Sequence, residues 1–230
     1  MKTLILLPGA MGAAAQFEAI LPLLQSDFNV ISMDLPGHGL NPYASNAITV
    51  PQMADAFIAH LKEMGNKEPV GIFGHSLGGY LGLYLIKYYP GVVGKLFTLG
   101  TKWHWTPETA AKETAMLNPD KMMEKIPGFV NALKAKHTQD WKVLVNNIAD
   151  LMLDLGHFQY LDLTKLSDIE TSVRIGLGDR DAMVSLDETI AQYRALKNAE
   201  LQVYPNTPHP YEKVNISTLA QDIKAYFSKE

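Results

Sequence analysis

The sequence predicts an α/β protein in which a mainly parallel, six-stranded sheet is flanked by helices. Short apolar runs alternate with stretches of helical periodicity, a pattern typical of parallel strands joined by helical crossovers. The runs are continuously apolar, as expected for strands that helices cover on both faces. The six predicted strands are residues 3–7, 29–33, 70–73, 95–99, 173–177 and 201–204.

Two helices of this core are marked by their capping residues. Thr49, followed by Gln52, predicts a capping box at the start of a helix whose apolar residues form one stripe, and Gly65 marks its end. Asn215 predicts the N-cap of a final helix with an apolar face. We expect both helices to pack on the sheet.

Residues 103–168 break the alternation, because this segment is helical in character and contains no convincing strand. Pro107, Pro119 and Pro127 divide it. We predict an all-helical cap subdomain at 103–168, inserted into a core of residues 1–102 and 169–230. Its large apolar side chains either pack within the insertion or form an adaptable wall over a binding site. They are Trp103, Trp105, Met116, Met122, Met123, Phe129, Trp141 and Met152.

Composition narrows the classes of function. The chain is 47% hydrophobic and 19% charged with a formal net charge of −4, so it has no basic surface for nucleic acid or anionic lipid. The absence of cysteine excludes disulfides, thiolate metal sites and a cysteine nucleophile. No histidine pair has metal-ligand spacing with carboxylates, so we expect neither metal nor cofactor. The expected partner is a small-molecule substrate.

The N-terminal residues bear on localisation. The apolar run of residues 4–7 follows Lys2 as in a secretory signal, but it is too short for a signal core and Pro8 interrupts it. No stretch is long enough for a helix that crosses a bilayer. We therefore expect a cytoplasmic protein.

The motif that carries chemistry is Gly74-His75-Ser76-Leu77-Gly78, which lies between a predicted strand and a predicted helix. This is the context of a nucleophile elbow, where small neighbours allow a sharp turn that exposes the serine. A Gly-rich turn without chemistry and a dinucleotide-binding loop are the alternatives. The latter is disfavoured because Ser76 stands where a second glycine would let a pyrophosphate approach.

A serine nucleophile requires a base and an acid that orients the base. In proteins with such an elbow the chain order is nucleophile, acid, histidine. Asp179 and Asp181 both follow the strand at 173–177, and His209 is the one histidine C-terminal to them. The other histidines, including His75, are assigned packing, hydrogen-bonding or surface roles. His209 is therefore the predicted base, while both aspartates remain candidates for the acid.

The developing oxyanion needs backbone N–H donors. One is predicted at Leu77, directly after the nucleophile, and the other at Ala10, in the loop that follows the first strand.

Taken together, these motifs resemble the α/β-hydrolase superfamily over essentially the whole chain. Residues 34–39 are similar to its Asp-x-x-Gly-x-Gly loop, and residues 178–184 to its Gly-x-x-Asp-x-x-Val pattern, which implies Asp181 as the acid. The helical insertion is similar to its cap. Pro8-Gly9 replaces the usual His-Gly, which leaves Met11 as an alternative donor to Ala10. The chain starts directly with the oxyanion strand, so we expect six strands with residues 29–33 at an edge.

The resemblance implies a reaction class. Dehalogenases and epoxide hydrolases use aspartate at the elbow, so Ser76 argues against both. We expect hydrolysis of a carboxylic ester, thioester or lactone of a small to medium, partly apolar substrate through an acyl-enzyme on Ser76. A carbon–carbon bond hydrolase, a cofactor-free lyase or perhydrolase, and a non-catalytic ligand-binding protein are the alternatives. The predicted substrate contacts are Met11, Trp103, Trp105 and Met183.

Overall fold

Six strands form a single sheet in the computed structural model, which describes residues 1–42 and 48–229. They are β1 (Thr3–Leu7), β2 (Asn29–Ser32), β3 (Val70–His75), β4 (Val93–Leu99), β5 (Ser172–Gly178) and β6 (Ala199–Tyr204). Their order is β2-β1-β3-β4-β5-β6, and every neighbouring pair is parallel. The predicted strands and the edge position of β2 are confirmed, and the sheet is wholly parallel where a mainly parallel one was predicted.

Helices lie on both faces of this sheet. The core helices are α1 (Leu21–Leu24), α2 (Val50–Glu63), α3 (Leu77–Tyr88), α8 (Leu186–Ala195) and α9 (Ile216–Phe227), and the helices between β4 and β5 are α4 (Pro107–Thr114), α5 (Pro119–Lys125), α6 (Pro127–Lys136) and α7 (Trp141–Phe158). Alternate strand residues face opposite sides. Ile5 and Ile72 pack with α2 and α3, whereas Leu4 and Phe73 pack with α1 and α9.

The predicted caps of two core helices are present. The Thr49 hydroxyl accepts from the Gln52 amide while the Gln52 side chain accepts from the Thr49 amide, which completes the capping box of α2. Gly65 follows that helix with φ of 68°, a conformation that glycine adopts without strain. The Asn215 side chain accepts from the Thr218 amide at the start of α9. Local sequence signals therefore set these boundaries.

The helical insertion is confirmed as α4 to α7. Pro107, Pro119 and Pro127 each begin a helix, where the missing N–H has no intrahelical partner to lose. Leu151 of α7 packs in the same apolar core as the strands, and Trp141 belongs to a smaller core within the insertion. The insertion is thus partly continuous with the main core.

The strand order opens a crevice at one edge of the sheet. From β1 the chain passes to β2 on one side, and it then returns to β3 on the other side of β1. The loops that leave the carboxyl ends of β1 and β3 consequently diverge and open a crevice, which is the usual site in open α/β sheets. Among the described residues, no helix is long and apolar enough to cross a membrane.

Candidate active site

Ser76 occupies a strained turn between β3 and α3. Its backbone has φ of 50° and ψ of −115°, outside the regions that residues with a side chain ordinarily adopt. Neighbouring groups hold this conformation: the Ser76 amide donates to the Leu99 carbonyl at 2.8 Å, and the Thr101 hydroxyl donates to the Ser76 carbonyl at 3.0 Å. The predicted elbow geometry is therefore present.

Close backbone approaches explain the two glycines of the elbow. A Cβ atom on Gly74 would lie 2.4 Å from the Gly78 carbonyl carbon, and one on Gly78 would lie 2.4 Å from the Leu7 carbonyl oxygen. Neither contact is possible for a real side chain. The strand-to-helix turn can close against β1 only when both positions lack a side chain.

A hydrogen bond joins Asp181 and His209, the residues predicted as acid and base. His209 Nδ1 donates to Asp181 Oδ2 at 2.8 Å, and Asp181 Oδ1 accepts from the amides of Met183 at 2.8 Å and Val184 at 2.9 Å. The side chains are 2% exposed for Asp181 and 14% exposed for His209. With the proton on Nδ1, the neutral ring has a lone pair on Nε2 that can accept a proton.

The charge state of Asp181 follows from these contacts. Burial by itself raises the pKa of this carboxyl, but the hydrogen bond from His209 and the amides of Val184 and Met183 outweigh it, so the pKa lies below its ordinary value. Asp179 is placed differently, because its carboxylate accepts from the Thr207 amide at 3.3 Å. The structure therefore pairs Asp181, and not Asp179, with the histidine.

The buried side chain of His75 contacts the main chain of the same histidine. Its Nε2 lies 3.0 Å from the His209 carbonyl oxygen, which only accepts, so Nε2 carries the proton and donates. The ring is buried, and this burial, reinforced by the neighbouring His209, lowers the pKa of His75 to about 4. His75 is consequently neutral at physiological pH and holds the His209 backbone in place.

A cavity of about 310 Å³ lies at this edge of the sheet. Both Ser76 and His209 line it. Of the predicted substrate contacts, Met11, Trp105 and Met183 also line it. Trp103 does not: it is buried, its ring stacks on Tyr80 with centroids 6.2 Å apart, and it lines a neighbouring cavity instead.

The helical insertion supplies most of the apolar wall of this cavity. Met116, Phe129 and Met152 line it, whereas Met122 and Trp141 pack in the insertion's own core. Further lining side chains were not singled out from the sequence, because helical periodicity does not reveal which neighbour an apolar face meets; they are Leu117, Ile148, Leu151 and Leu155.

Two pairs of oppositely charged side chains also line the cavity, and neither pair was predicted from the sequence. Lys102 lies 3.5 Å from Glu113, with both side chains largely buried, and Lys136 lies 3.7 Å from Glu212 in a more exposed position. The paired residues are 11 and 76 positions apart in the sequence, so no local motif predicts either contact. Within residues 1–42 and 48–229, no group of three or more histidines and carboxylates could hold a metal ion.

Two backbone segments are available to an oxyanion. Leu77 is the first residue of α3, where an amide has no intrahelical acceptor. Residues 9–12 form a turn that the Gly12 amide closes by donating to the Gly9 carbonyl at 2.9 Å. Ala10 and Met11 both line the cavity within this turn, so either remains a candidate for the second donor.

The parallel sheet, the elbow and the helical insertion define the class of protein. The chain belongs to the family described as alpha/beta hydrolase fold, whose match covers residues 2–141. Among curated proteins it is 33% identical over 98 residues to the human "Serine hydrolase-like protein", which covers 41% of this chain and 47% of that protein. It is 34% identical over 95 residues to the pimeloyl-[acyl-carrier protein] methyl ester esterase of Neisseria meningitidis, covering 41% of this chain and 35% of the relative.

Solved structures share the fold over almost the whole chain. A thermophilic esterase from Thermogutta terrifontis superimposes with a TM-score of 0.81 at 18% identity, covering 99% of this chain and 90% of the esterase. The aligned regions of the curated relatives, by contrast, amount to less than half of each relative's length.

Proposed function

We propose that the protein hydrolyses a carboxylic ester of a small to medium, partly apolar substrate through an acyl-enzyme on Ser76. The observation that carries the proposal is that Ser76 and His209 line one cavity while Asp181 orients His209. A serine, a histidine with a free Nε2 and a buried carboxylate are the groups that acyl transfer requires.

The groups have distinct tasks in this reaction. Ser76 Oγ attacks the ester carbonyl carbon while its proton passes to His209 Nε2, and the carbonyl oxygen becomes an oxyanion facing the amides of Leu77 and of Ala10 or Met11. The C–O bond to the alcohol then breaks, and the alcohol leaves with the proton from His209. A water molecule, deprotonated by His209, releases the acid and restores Ser76.

The size and lining of the cavity support the choice of substrate. Its 310 Å³ lies at the lower end of the range of about 300–1,000 Å³ found for ligand pockets, and apolar side chains of the insertion surround it. Relatives named as a serine hydrolase-like protein and a methyl ester esterase favour ester chemistry. Thioesters and lactones present the same carbonyl and belong to the same proposal.

Covalent labelling tests the nucleophile. A fluorophosphonate probe is expected to label the native protein at Ser76, identified by mass spectrometry of the modified peptide. Labelling should vanish in Ser76→Ala and fall by at least about 10²-fold in rate in His209→Ala, because the hydroxyl then lacks its base. Circular dichroism spectra establish that each variant is folded. A native protein that resists the probe would contradict the proposal and favour a ligand-binding protein.

A substrate panel tests the reaction. Short and medium p-nitrophenyl esters are expected to be hydrolysed, with a burst of p-nitrophenol equal to the enzyme concentration if deacylation is the slower step. Ser76→Ala is the control for reactions at other nucleophiles. Cleavage of a dienone, or peracid formation, without any ester hydrolysis would overturn the ester proposal in favour of the alternative chemistries.

A further inference from the structure

His137 connects the helical insertion to the turn that carries the candidate oxyanion donor. It follows α6, is 6% exposed, and uses both ring nitrogens. The Gly39 amide donates to its Nδ1 at 2.7 Å, and its Nε2 lies 3.0 Å from the Met11 carbonyl oxygen. An amide can only donate and a carbonyl can only accept, so the ring is neutral with its proton on Nε2.

Met11, whose carbonyl His137 contacts, has a strained backbone conformation. Met11 has φ of 58°, in the left-handed region that a long side chain rarely adopts. Such a conformation persists only where its surroundings hold it. The hydrogen bond from Gly12 to Gly9 closes the turn, and the bond from His137 fixes the carbonyl of Met11 itself. The Met11 carbonyl and the Gly12 amide belong to one planar peptide unit, so rotation of this peptide would break the Gly12 bond that closes the turn.

Gly39, the other partner of His137, makes a second hydrogen bond to the same segment. The Thr138 amide donates to the Gly39 carbonyl at 2.9 Å, so both polar groups of Gly39 are bound by the end of the insertion. Asp34 accepts from the Ala14 amide at 2.6 Å and from the Leu40 amide at 2.9 Å. Three segments, namely the insertion, the loop after β2 and the loop after β1, therefore meet at this imidazole.

We propose that His137 is a positioning residue, which holds the Met11–Gly12 peptide and so keeps the turn closed, with the amides of residues 10–11 facing the reacting carbonyl oxygen. This inference rests on the proposed function, since it assigns His137 to the oxyanion turn of that reaction. Donors fixed before the reaction stabilise the transition state most, because no reorganisation is needed as the charge develops. The insertion then contributes to turnover as well as to the walls of the cavity.

The charge state of His137 determines whether it can do this. A protonated ring has a hydrogen on Nδ1 and cannot accept from the Gly39 amide. Burial lowers the pKa of His137, the bond to the Met11 carbonyl and nearby Asp34 oppose this, and Lys136 adds to it. The His38 ring, whose centroid lies 6.0 Å away, also packs against it. His137 thus remains neutral at pH 7.

Two amide substitutions separate the two hydrogen bonds. An asparagine places its amide where Nδ1 was, so His137→Asn keeps an acceptor for Gly39 and loses the donor to Met11. A glutamine reaches the place of Nε2, so His137→Gln keeps the donor. We expect kcat for p-nitrophenyl ester hydrolysis to fall about tenfold or more in His137→Asn with KM little changed, and to stay within about threefold of wild type in His137→Gln.

The pH profile and hydrogen exchange complete the test. The ratio of kcat for His137→Gln to kcat for wild type should rise as the pH falls below the ordinary histidine pKa of 6.5, because only the native protein has a ring at position 137 that can protonate. All other titrating groups are common to both proteins, so their effects cancel in the ratio. Exchange of the Gly12 amide should be about tenfold faster in His137→Asn than in His137→Gln.

The outcomes distinguish this inference from the proposed function. Equal kcat in the two variants, or a loss confined to KM or to thermal stability, would overturn the positioning role. A wild-type protein that neither hydrolyses esters nor reacts with the fluorophosphonate probe would overturn the proposed function and the catalytic part of this inference. The exchange of Gly12 would then still decide whether His137 holds the turn.

Discussion

The orientation of Asp181 determines which nitrogen of His209 carries a proton. Its Oδ1 is occupied by the two amides of Met183 and Val184, so only Oδ2 is available to His209. The carboxylate accepts on both sides, and the histidine must therefore donate from Nδ1. The loop that carries Asp181 thus sets the tautomer of His209 as well as its position.

This geometry makes Asp181→Asn informative. The two amides of residues 183 and 184 require an acceptor, so the asparagine oxygen will face them and its NH₂ group will face His209. His209 Nδ1 must then accept, which puts the proton on Nε2, where a base needs a lone pair. We expect kcat for the proposed ester hydrolysis to fall by about 10³–10⁴-fold, because a histidine in the wrong tautomer cannot take the proton of Ser76.

Asp179→Asn is the matched control for this prediction. Asp179 lies two residues away and accepts from Thr207 without contacting the base, so its kcat should remain within about threefold of wild type. Steady-state kinetics of both variants, with thermal unfolding to verify folding, make the comparison. Equal losses in the two variants would contradict the role given to Asp181.

The sequence predicted some of these residues better than others. Chain order alone selected His209, but the choice between Asp179 and Asp181 required the resemblance to a family pattern. His75 was assigned a packing or hydrogen-bonding role, but its partner and the role of His137 were not predictable, because both histidines contact main-chain carbonyls, 134 and 126 residues away. A carbonyl has no side-chain identity, so no pattern of residue types announces such a contact.

At the level of elements, helix starts were predictable and helix faces were not. Prolines mark the first residues of α4, α5 and α6 by a local preference that needs no tertiary context. Trp103 and Trp105, in contrast, lie in a segment without helical or strand periodicity. Nothing local specifies that Trp105 lines the main cavity while Trp103 stacks on Tyr80, so contact with the substrate could not be assigned to one of them.

Helix α7 presents a stripe of side chains to the cavity. Ile148, Leu151, Met152 and Leu155 recur at helical spacing, and all four line it. Met152 is the half-buried, unbranched member, so its size can change with little damage to the core. Under the proposed function, the stripe offers a direct means of altering the length of the acyl chain that the cavity accommodates.

We predict that Met152→Ala shifts the preference towards longer esters and Met152→Trp towards shorter ones. Each methylene group that an apolar pocket gains or loses room for changes kcat/KM by about tenfold or more. The ratio of kcat/KM for a longer p-nitrophenyl ester to that for a shorter one should therefore rise in Met152→Ala and fall in Met152→Trp. Leu153→Ala is the control, because Leu153 is exposed on the same helix and does not line the cavity. A shift in the same direction for both Met152 variants would refute the assignment of α7.

For the whole molecule, the parallel sheet concentrates loops at one edge. The loops after β1, β3, β4, β5 and β6 all leave the carboxyl ends of the strands, and they contribute Met11, Ser76, Lys102, Asp181 and His209. The continuity of the apolar runs favoured this arrangement, because the strands of parallel sheets are covered on both faces and are apolar along their whole length. The conformations of the loops at that edge depend on contacts between segments that are distant in sequence. Several of these contacts are hydrogen bonds made by buried histidines.

Buried neutral histidines also make stability depend on pH. Burial lowers the pKa of both His38 and His75 to about 4, and it lowers the pKa of His137 as well. Between these values and the ordinary 6.5, the unfolded chain binds protons that the folded chain excludes. The stabilising effect is therefore complete above about pH 6.5 and is lost as the pH falls towards 4.

We predict a marked decrease in the free energy of unfolding between pH 7 and pH 4, measured by urea denaturation at fixed ionic strength. One pKa unit corresponds to about 1.4 kcal/mol, so each fully buried ring contributes roughly 3 kcal/mol to the decrease by pH 4. His38→Asn preserves a donor to the Pro36 carbonyl, which His38 Nδ1 contacts at 3.0 Å, and removes the titrating ring. The decrease should be smaller in this variant; an unchanged decrease would exclude His38 as a source of the acid sensitivity.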